Sequence, residues 1–241
     1  MSDSYSKIFT LTTNSYDCYD RIKPSTFADL MQNTAGEHAS ILGVGFDDFI
    51  KQDLIWIIVR NYMEIYSYRK NITKVEVTTM IAKPRLFECP RDFIIKDLDT
   101  NEIILKARTV WVIFNLKDKK VIDPSPYESL ITTDNGIFSR VRRLEKVDIK
   151  NYDYVKDVMV TFSMIDHNKH MNNTRCLDMF LDTFRLTENE VIKRIQVEYE
   201  LQAYLDNLLS LYKKIDGNNY SLISKIDSEF WRIDAEVLKI M

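Results

Sequence analysis

The chain has 241 residues, room for one large domain or two small ones at the usual ~150 residues per domain. Its composition of 45% hydrophobic, 12% aromatic and 29% charged residues supplies a sizeable core and excludes long-range disorder. A net charge of -3 and a pI near 5.7 give no global attraction to nucleic acid or to an anionic membrane.

Motif exclusions follow directly. The five glycines, Gly36, Gly43, Gly45, Gly136 and Gly217, complete neither GxGxxG nor GxxxxGK[ST], which argues against dinucleotide and P-loop sites. The polar start MSDSYSK is no secretion signal, and the longest apolar run, Leu54 to Val59, is six residues against the ~20 of a membrane span. Cys18, Cys89 and Cys176 form no CxxC, so a zinc ribbon is excluded and a reducing, cytoplasmic compartment is expected for a soluble, uncleaved protein.

In chain order, the first predicted element is a helix over 24–35 (PSTFADLMQNTA), with Phe27, Leu30, Met31 and Thr34 at helical spacing behind a proline suited to the first turn. Strands follow at 55–59, 74–81, 91–98 and 103–116, each rich in β-branched or aromatic residues. Asp99-Thr100-Asn101 makes the last two a hairpin, and the charged 117–120 closes the next strand. Residues 123–150 are poor in periodicity and carry two prolines, giving an N-terminal unit 1–125, a linker 126–150 and a C-terminal unit 151–241. After the linker the pattern predicts a strand over 156–165, a polar knot over 166–173 and a helix over 174–184. Further strands are predicted at 192–204, 208–215, 220–226 and 230–240.

The two halves repeat at an offset of 149: Asp17 to Arg21 fall on Asp166 to His170, and Phe27, Leu30 and Met31 on Cys176, Met179 and Phe180. Asp29 likewise matches Asp178, and Thr34 matches Thr183. A single helix followed by strands with one apolar face is satisfied by an antiparallel sheet wrapped around that helix, so the fold class is α+β with two tandem copies of one unit. Two such sheets joined edge to edge would hide one edge strand of each.

The knot Asp166-His167-Asn168-Lys169-His170-Met171-Asn172-Asn173 carries two of the three histidines. A spacing of two in extended chain puts Asp166, Asn168 and His170 on one side. The helix starting near Asn173 adds backbone N–H donors able to stabilise an oxyanion. Together these are the parts of an acyl-transfer site. Two other readings stay open: Asn172 or Asn173 as a helix cap with Asp166 and Asn168 shaping a turn, and a metal site from Asp166, His167 and His170, for which no further histidine lies nearby.

The DxNxHxN run of Asp166, Asn168, His170 and Asn172 resembles the catalytic motif of the acyl-acyl carrier protein thioesterase family, known from plant plastids and bacteria. Residues 91–123, Gly36 to Ser40 after the first helix, and Trp56 with Arg60 are similar to family positions too, so the resemblance spans nearly the whole chain. It implies a double hotdog fold, hydrolysis of acyl-acyl carrier protein in fatty acid synthesis, and no metal or organic cofactor. It assigns Asp166, Asn168 and His170 to the site, with a glutamate expected on a strand of the second half. Here that position is Gln202, and the plant members' adjacent cysteine falls on Ala203. An amide can orient water but accepts no proton at pH 7, and general-base help is worth roughly 10²- to 10⁴-fold.

Three outcomes follow: Asp166 or His170 activates water while Gln202 positions it; Glu198 or Glu200, on the same side of a period-2 strand as Gln202, substitutes; or hydrolysis is slow or lost. In the favoured mechanism amide groups near Asn172 and Asn173 bind the oxyanion, with Asn168 helping to fix the geometry. The first-half copy has Arg21 and Tyr19 where the second has His170 and Asn168, so it should be chemically silent and hold the fatty acyl chain. Phe27, Met31, Trp56 and Ile58 are its lining candidates. Arg140, Arg142 and Arg143, with Lys146, are the candidate docking site for an acidic carrier protein. The alternatives are a noncatalytic acyl-binding protein, a hydrolase of acyl-coenzyme A, and a dehydratase of hydroxyacyl chains. Monomer and homodimer are equally compatible with the repeat.

Overall fold

Most β-branched and aromatic runs become strands, in a computed structural model that describes residues 4–130, 136–200, 202–226 and 228–240. The strand expected over 55–59 lengthens to 54–65, that over 156–165 shifts to 153–159 with a one-turn helix after it, and that over 192–204 stops at Tyr199. Residues 131–135 of the expected linker and Leu201 of the expected 192–204 strand lie outside the described residues. The chain divides into two compact units, Met1–Val141 and Arg142–Met241.

The first unit contains β1 (Tyr5–Thr10), α1 (Pro24–Ile41), α2 (Phe46–Ile50), β2 (Leu54–Ile65), β3 (Lys74–Ile81), β4 (Cys89–Asp97), β5 (Ile103–Asn115) and β6 (Lys120–Ile122). Its sheet runs β1-β3-β4-β5-β2, antiparallel throughout, with β6 beside β5. Alternation buries Val75 and Val77 of β3, Phe93 and Ile95 of β4, and Leu105 and Ala107 of β5. α1 packs on β1 and β3 and buries Phe27, Leu30, Met31 and Ala35. Neither β1 nor α2 was signalled by the sequence pattern: β1 is six residues with an exposed Ile8, and α2 is barely one turn.

α1 runs 18 residues, so Gly36 to Ser40 lie inside the helix rather than after it. Gly36 carries no helix-breaking demand because nothing crowds its Cβ direction, and Ser40 Oγ donates to the Gly36 carbonyl at 3.0 Å. Burial of Ala35, His38 and Ala39 extends the core stripe and stabilises the added turns.

His38 is a buried polar group whose imidazole meets a buried cation: its Nδ1 lies 3.0 Å from Arg91 Nη1, which also donates to Thr79 Oγ1 at 3.3 Å. Since a guanidinium has no acceptor, Nδ1 is unprotonated here. Tyr5 stacks on the imidazole at 5.7 Å. The start of the connection after 135 is also pinned. Asp92 is fully buried and accepts both Arg108 Nε at 2.5 Å and Nη2 at 2.7 Å. The Ile137 amide donates to the same carboxylate at 2.5 Å. Gly136, at φ +43, passes so close that a side chain would collide with Arg108 and Asp92.

The second unit contains β7 (Asp153–Met159), α3 (Arg175–Phe184), β8 (Glu190–Tyr199), β9 (Leu208–Asp216), β10 (Asn219–Ile226) and β11 (Ser228–Lys239). Its antiparallel sheet runs β8-β11-β10-β9-β7. α3 packs on β11 and buries Cys176, Leu177, Met179 and Phe180. It stops after ten residues at Arg185, which takes a left-handed φ of 48.

The sequence repeat is also a repeat of hydrogen bonds. A one-turn helix at Thr13–Ser15 recurs at Phe162–Met164, and the bridge Tyr16 to Ile22 recurs as Ile165 to Met171. The amide of Lys23 bonds to the Ser15 carbonyl at 3.0 Å, as that of Asn172 bonds to Met164 at 2.8 Å. Thr34 and Thr183 donate back to Leu30 and Met179 at 2.8 and 2.7 Å.

Burial, reinforced by the Arg91 charge, holds the His38 imidazole down to about 4 from its ordinary 6.5. Below pH 6.5 the unfolded chain binds a proton that the folded chain refuses, so this group's contribution falls as pH drops from 6.5 to about 4 and levels off beneath. The loss is on the order of 3 kcal/mol. Denaturation curves of wild type and His38→Gln, which keeps an acceptor for Arg91, should diverge across that window, and parallel curves would refute the assignment.

Candidate active site

The polar knot is a tight turn built by Asp166. Its amide donates to the His170 carbonyl at 2.9 Å, its carbonyl accepts the Lys169 amide at 3.0 Å, and its Oδ1 accepts the Asn168 amide at 2.8 Å. Lys169 takes the left-handed φ of 66 that closes the turn. In the first unit Asp17 does the same: its amide meets the Arg21 carbonyl at 2.8 Å, its Oδ1 accepts the Tyr19 and Arg21 amides at 2.9 and 3.0 Å, and Asp20 has φ 64.

The backbones match, and the side chain four residues past the aspartate differs. Arg21 ties Nε to Asp17 Oδ2 at 2.7 Å and lies over the Tyr19 ring at 4.9 Å, an ion pair locked within its own turn. His170 occupies the same place in the second unit. It is half-buried, and its ring and that of Tyr204 pack edge to face, with centroids 4.9 Å apart at 67°. Burial pushes its pKa below the ordinary 6.5 while the Asp166 charge pulls it back up, so the imidazole is neutral at pH 7 and able to accept a proton.

The other expected residues fall in two sets. Asp166 is half-buried, and Asn168 is exposed on the crown of the turn with His167 and Lys169. Asn172 builds the turn that leads into the N-cap Thr174: its Oδ1 accepts the Thr174 amide at 2.9 Å and hydroxyl at 3.0 Å, and its carbonyl accepts the Arg175 amide at 3.0 Å. The Asn172 amide is itself taken by Met164. Asn173 leaves its amide without a hydrogen bond among the described residues, while its carbonyl accepts from Cys176 Sγ at 2.9 Å and Tyr199 Oη at 3.3 Å. The turn reading and the chemical reading therefore share residues: Asp166 and Asn172 shape the backbone, and His170 and the Asn173 amide are what it presents.

β8 ends at Tyr199, so Gln202 lies in an irregular segment beyond the strand and is exposed. The next residue, buried Ala203, accepts the Met171 amide at 2.8 Å, which pins this segment beside the residue following His170. The period-2 relation of Gln202 to Glu198 and Glu200 thus breaks at the strand end. Glu198 is buried and accepts Gln196 Nε2 at 2.7 Å and the Leu144 amide at 3.2 Å, and Glu200 pairs with Arg143. Both carboxylates are engaged.

In the first unit Phe27, Met31 and Ile58 are buried core residues, and Trp56 is half-buried. Trp56 donates Nε1 to the Val44 carbonyl at 2.8 Å and stacks on Phe49 at 5.0 Å, so α2 backs it. Arg140, Arg142 and Lys146 are exposed, and Arg143 is exposed in its pair with Glu200. Among the described residues no group of three His, Cys, Asp or Glu is arranged to hold a metal ion, and no helix is long and apolar enough to cross a membrane. Sequence reasoning missed the role of Tyr204, which it placed at the end of the 192–204 strand although β8 stops at Tyr199, and the pairing of His38 with Arg91. His38 did carry a signal, seven residues past Met31 on the core stripe of α1.

Residues 2–126 match the acyl-ACP thioesterase N-terminal domain, and residues 148–233 match the acyl-ACP thioesterase C-terminal domain. The palmitoyl-acyl carrier protein thioesterase of Arabidopsis thaliana chloroplasts is 26% identical over 209 residues, 80% of this chain and 50% of that one. The oleoyl-acyl carrier protein thioesterase 2 of the same plant is 24% identical, over 83% of this chain and 60% of that one. This chain spans about half the length of the plant relatives at the head of such matches. Among solved structures, an acyl-ACP thioesterase from Bacteroides thetaiotaomicron superposes with a TM-score of 0.86 at 22% identity, covering 99% of this chain and 100% of that one. A 12:0-ACP thioesterase from Umbellularia californica gives 0.87 at 19% identity, covering 99% and 98%. The fold is the double hotdog these structures share.

The turn geometry separates the shape and charge of Asp166. Asp166→Asn keeps an oxygen for the Asn168 amide and should leave the thermal midpoint nearly unchanged. Asp166→Ala should lose about 1 kcal/mol. Calorimetry showing equal losses for both would contradict a turn-building carboxyl.

Proposed function

The chain belongs to the acyl-ACP thioesterase family, and from that premise and the knot we propose that it hydrolyses acyl-acyl carrier protein thioesters to free fatty acid by attack of activated water. The observation that carries this reading is the contrast between the two turns. One locks an arginine to its own aspartate, and the other carries a neutral, half-buried imidazole under the charge of Asp166, with an uncommitted amide three residues on, just before α3.

In this mechanism the thioester carbonyl lies at the Asn173 amide, which receives the developing oxyanion. Water held by the Gln202 amide gives its proton to His170 as its oxygen bonds to the carbonyl carbon. Collapse breaks the carbon–sulfur bond, and the proton on His170 passes to the departing thiolate. A thiolate is a good leaving group, so no strong acid is required. Asp166 holds the turn and stabilises the imidazolium that forms. Glu198 and Glu200 stay outside the chemistry because Gln196, Leu144 and Arg143 occupy them. The first unit holds the acyl chain, with Phe27, Met31, Trp56 and Ile58 as its lining, and no cofactor takes part. The Gln202 amide also favours a second reading, a noncatalytic acyl-binding protein, which the same assay separates.

Purified protein incubated with acyl chains on carrier protein and on coenzyme A should release thiol faster from the carrier. His170→Ala should lose about 10²- to 10⁴-fold in kcat. Activity should fall as pH drops through a value under 6.5, the imidazole's lowered pKa. Absence of thiol release from either substrate would leave the binding protein, and wild-type rates in His170→Ala would remove the imidazole from the reaction.

For the carrier, exposed Arg140, Arg142 and Lys146 supply the positive surface, whereas Arg143 shares its charge with Glu200. Reversal of Arg140 and Arg142 to glutamate should raise KM with little change in kcat and flatten the salt dependence of KM. An unmoved KM would place docking elsewhere.

A further inference from the structure

We infer that Tyr204 is a positioning residue for His170, an aromatic ring that sets the rotation of the imidazole and shields it from water. The inference deepens the hydrolase reading and rests on it for its catalytic consequence. Four observations carry it.

The first is the contact, with ring centroids at 4.9 Å and planes at 67°, the edge-to-face arrangement that aromatic rings prefer. The second is that burial does not explain this tyrosine: half of its surface is exposed. The third is that the backbone beneath it is fixed. The Tyr204 amide donates to Asn207 Oδ1 at 2.8 Å and its carbonyl accepts the Asn207 amide at 3.1 Å. Val160 then clasps the turn from the end of β7, its amide donating to Asn207 at 2.8 Å and its carbonyl accepting from Asp206 at 2.9 Å. On the other side, Ala203 is tied to Met171. Tyr204 therefore projects from a closed turn fastened both to β7 and to the residue after His170.

The fourth comes from the repeat. In the first turn the ring against position 21 is Tyr19, from within the turn itself. In the second turn Asn168 stands at that place and offers no ring, and the aromatic contact is supplied by a separate segment. An arginine needs no such support, because its fork is held by Asp17 at 2.7 Å. An imidazole on a single bond to its Cβ turns freely unless something packs against its face or edge.

The groups acting on the His170 charge are Asp166 from the turn, which favours protonation, and the burial to which Tyr204 contributes, which opposes it. Removing the ring should let water in, moving the imidazole titration up toward 6.5. The hydroxyl is not part of the argument, so phenylalanine should serve as well as tyrosine.

The test is the ¹H–¹³C titration of the His170 ring in the resting full-length protein, with kcat and KM for an acyl-carrier protein, in Tyr204→Ala and Tyr204→Phe. Tyr204→Ala should raise the His170 pKa and lower kcat by about tenfold, the scale of one aromatic pair contact, with KM nearly unchanged. Tyr204→Phe should restore both. An unshifted titration in Tyr204→Ala, or a phenylalanine variant as impaired as the alanine one, would overturn the inference. The titration needs no turnover, so a wild-type protein that releases no thiol defeats the hydrolase reading alone, while an unmoved titration defeats the role of Tyr204 alone.

Discussion

A carboxylate that closes a turn onto a residue two positions ahead is the constraint on which the candidate site in the second unit depends. Asp166 spends its amide, its carbonyl and one carboxylate oxygen on the backbone of 168–170, and the turn is completed by a left-handed Lys169. A non-glycine residue at that φ carries a steric penalty, tolerated because three hydrogen bonds converge on one aspartate. The result is a closed turn that puts the residue four past the aspartate at the same place in both units. Asp17 builds the same platform around Arg21, so the fold supplies the geometry twice and leaves its use to a single side chain.

That arrangement explains what the sequence made legible. Helix and strand positions were readable wherever burial imposes a period: the strands from 74 to 115 and from 208 to 239 fall where alternation puts them, and α3 where Cys176, Met179 and Phe180 recur. The repeat was readable because the turn needs particular residue types at fixed spacing, an aspartate above all. Elements without a period stayed hidden. β1 is half exposed, α2 is too short to repeat a face, and α1 outruns its apolar stripe because Ala35 and the polar pair of His38 with Arg91 continue its burial where the residue pattern reads as a break. A buried histidine facing a buried arginine is a tertiary fact, with partners 53 residues apart, and no local pattern encodes it.

The site was legible in its residue types and not in its division of labour. Asp, Asn, His and Asn at alternating positions suggested side chains converging on one side, yet the structure uses Asp166 and Asn172 first as backbone ligands. Residues that compete for backbone hydrogen bonds are the ones that form turns and caps, so the same letters serve shape and chemistry at once. Tyr204 was invisible for the opposite reason: its turn is closed locally by Asn207, but the clasp by Val160 and the contact with His170 join residues more than thirty positions apart.

Gln202 finds a physical rationale in the same frame. A carboxylate in the segment pinned beside Met171 would add to Asp166 in stabilising a charged imidazole, and with Glu198 and Glu200 on the preceding residues it would concentrate negative charge where an oxyanion must form. The chain instead neutralises what is there: Arg143 covers Glu200, and Gln196 and the Leu144 amide satisfy Glu198. An amide at 202 keeps two donors and an acceptor for a water molecule without adding charge, and it leaves proton acceptance to an imidazole that burial already holds neutral. A glutamate there would share the proton with the histidine. On the proposed mechanism glutamine splits two tasks between residues, water placement on one and basicity on the other, so that the orientation of the ring matters to both.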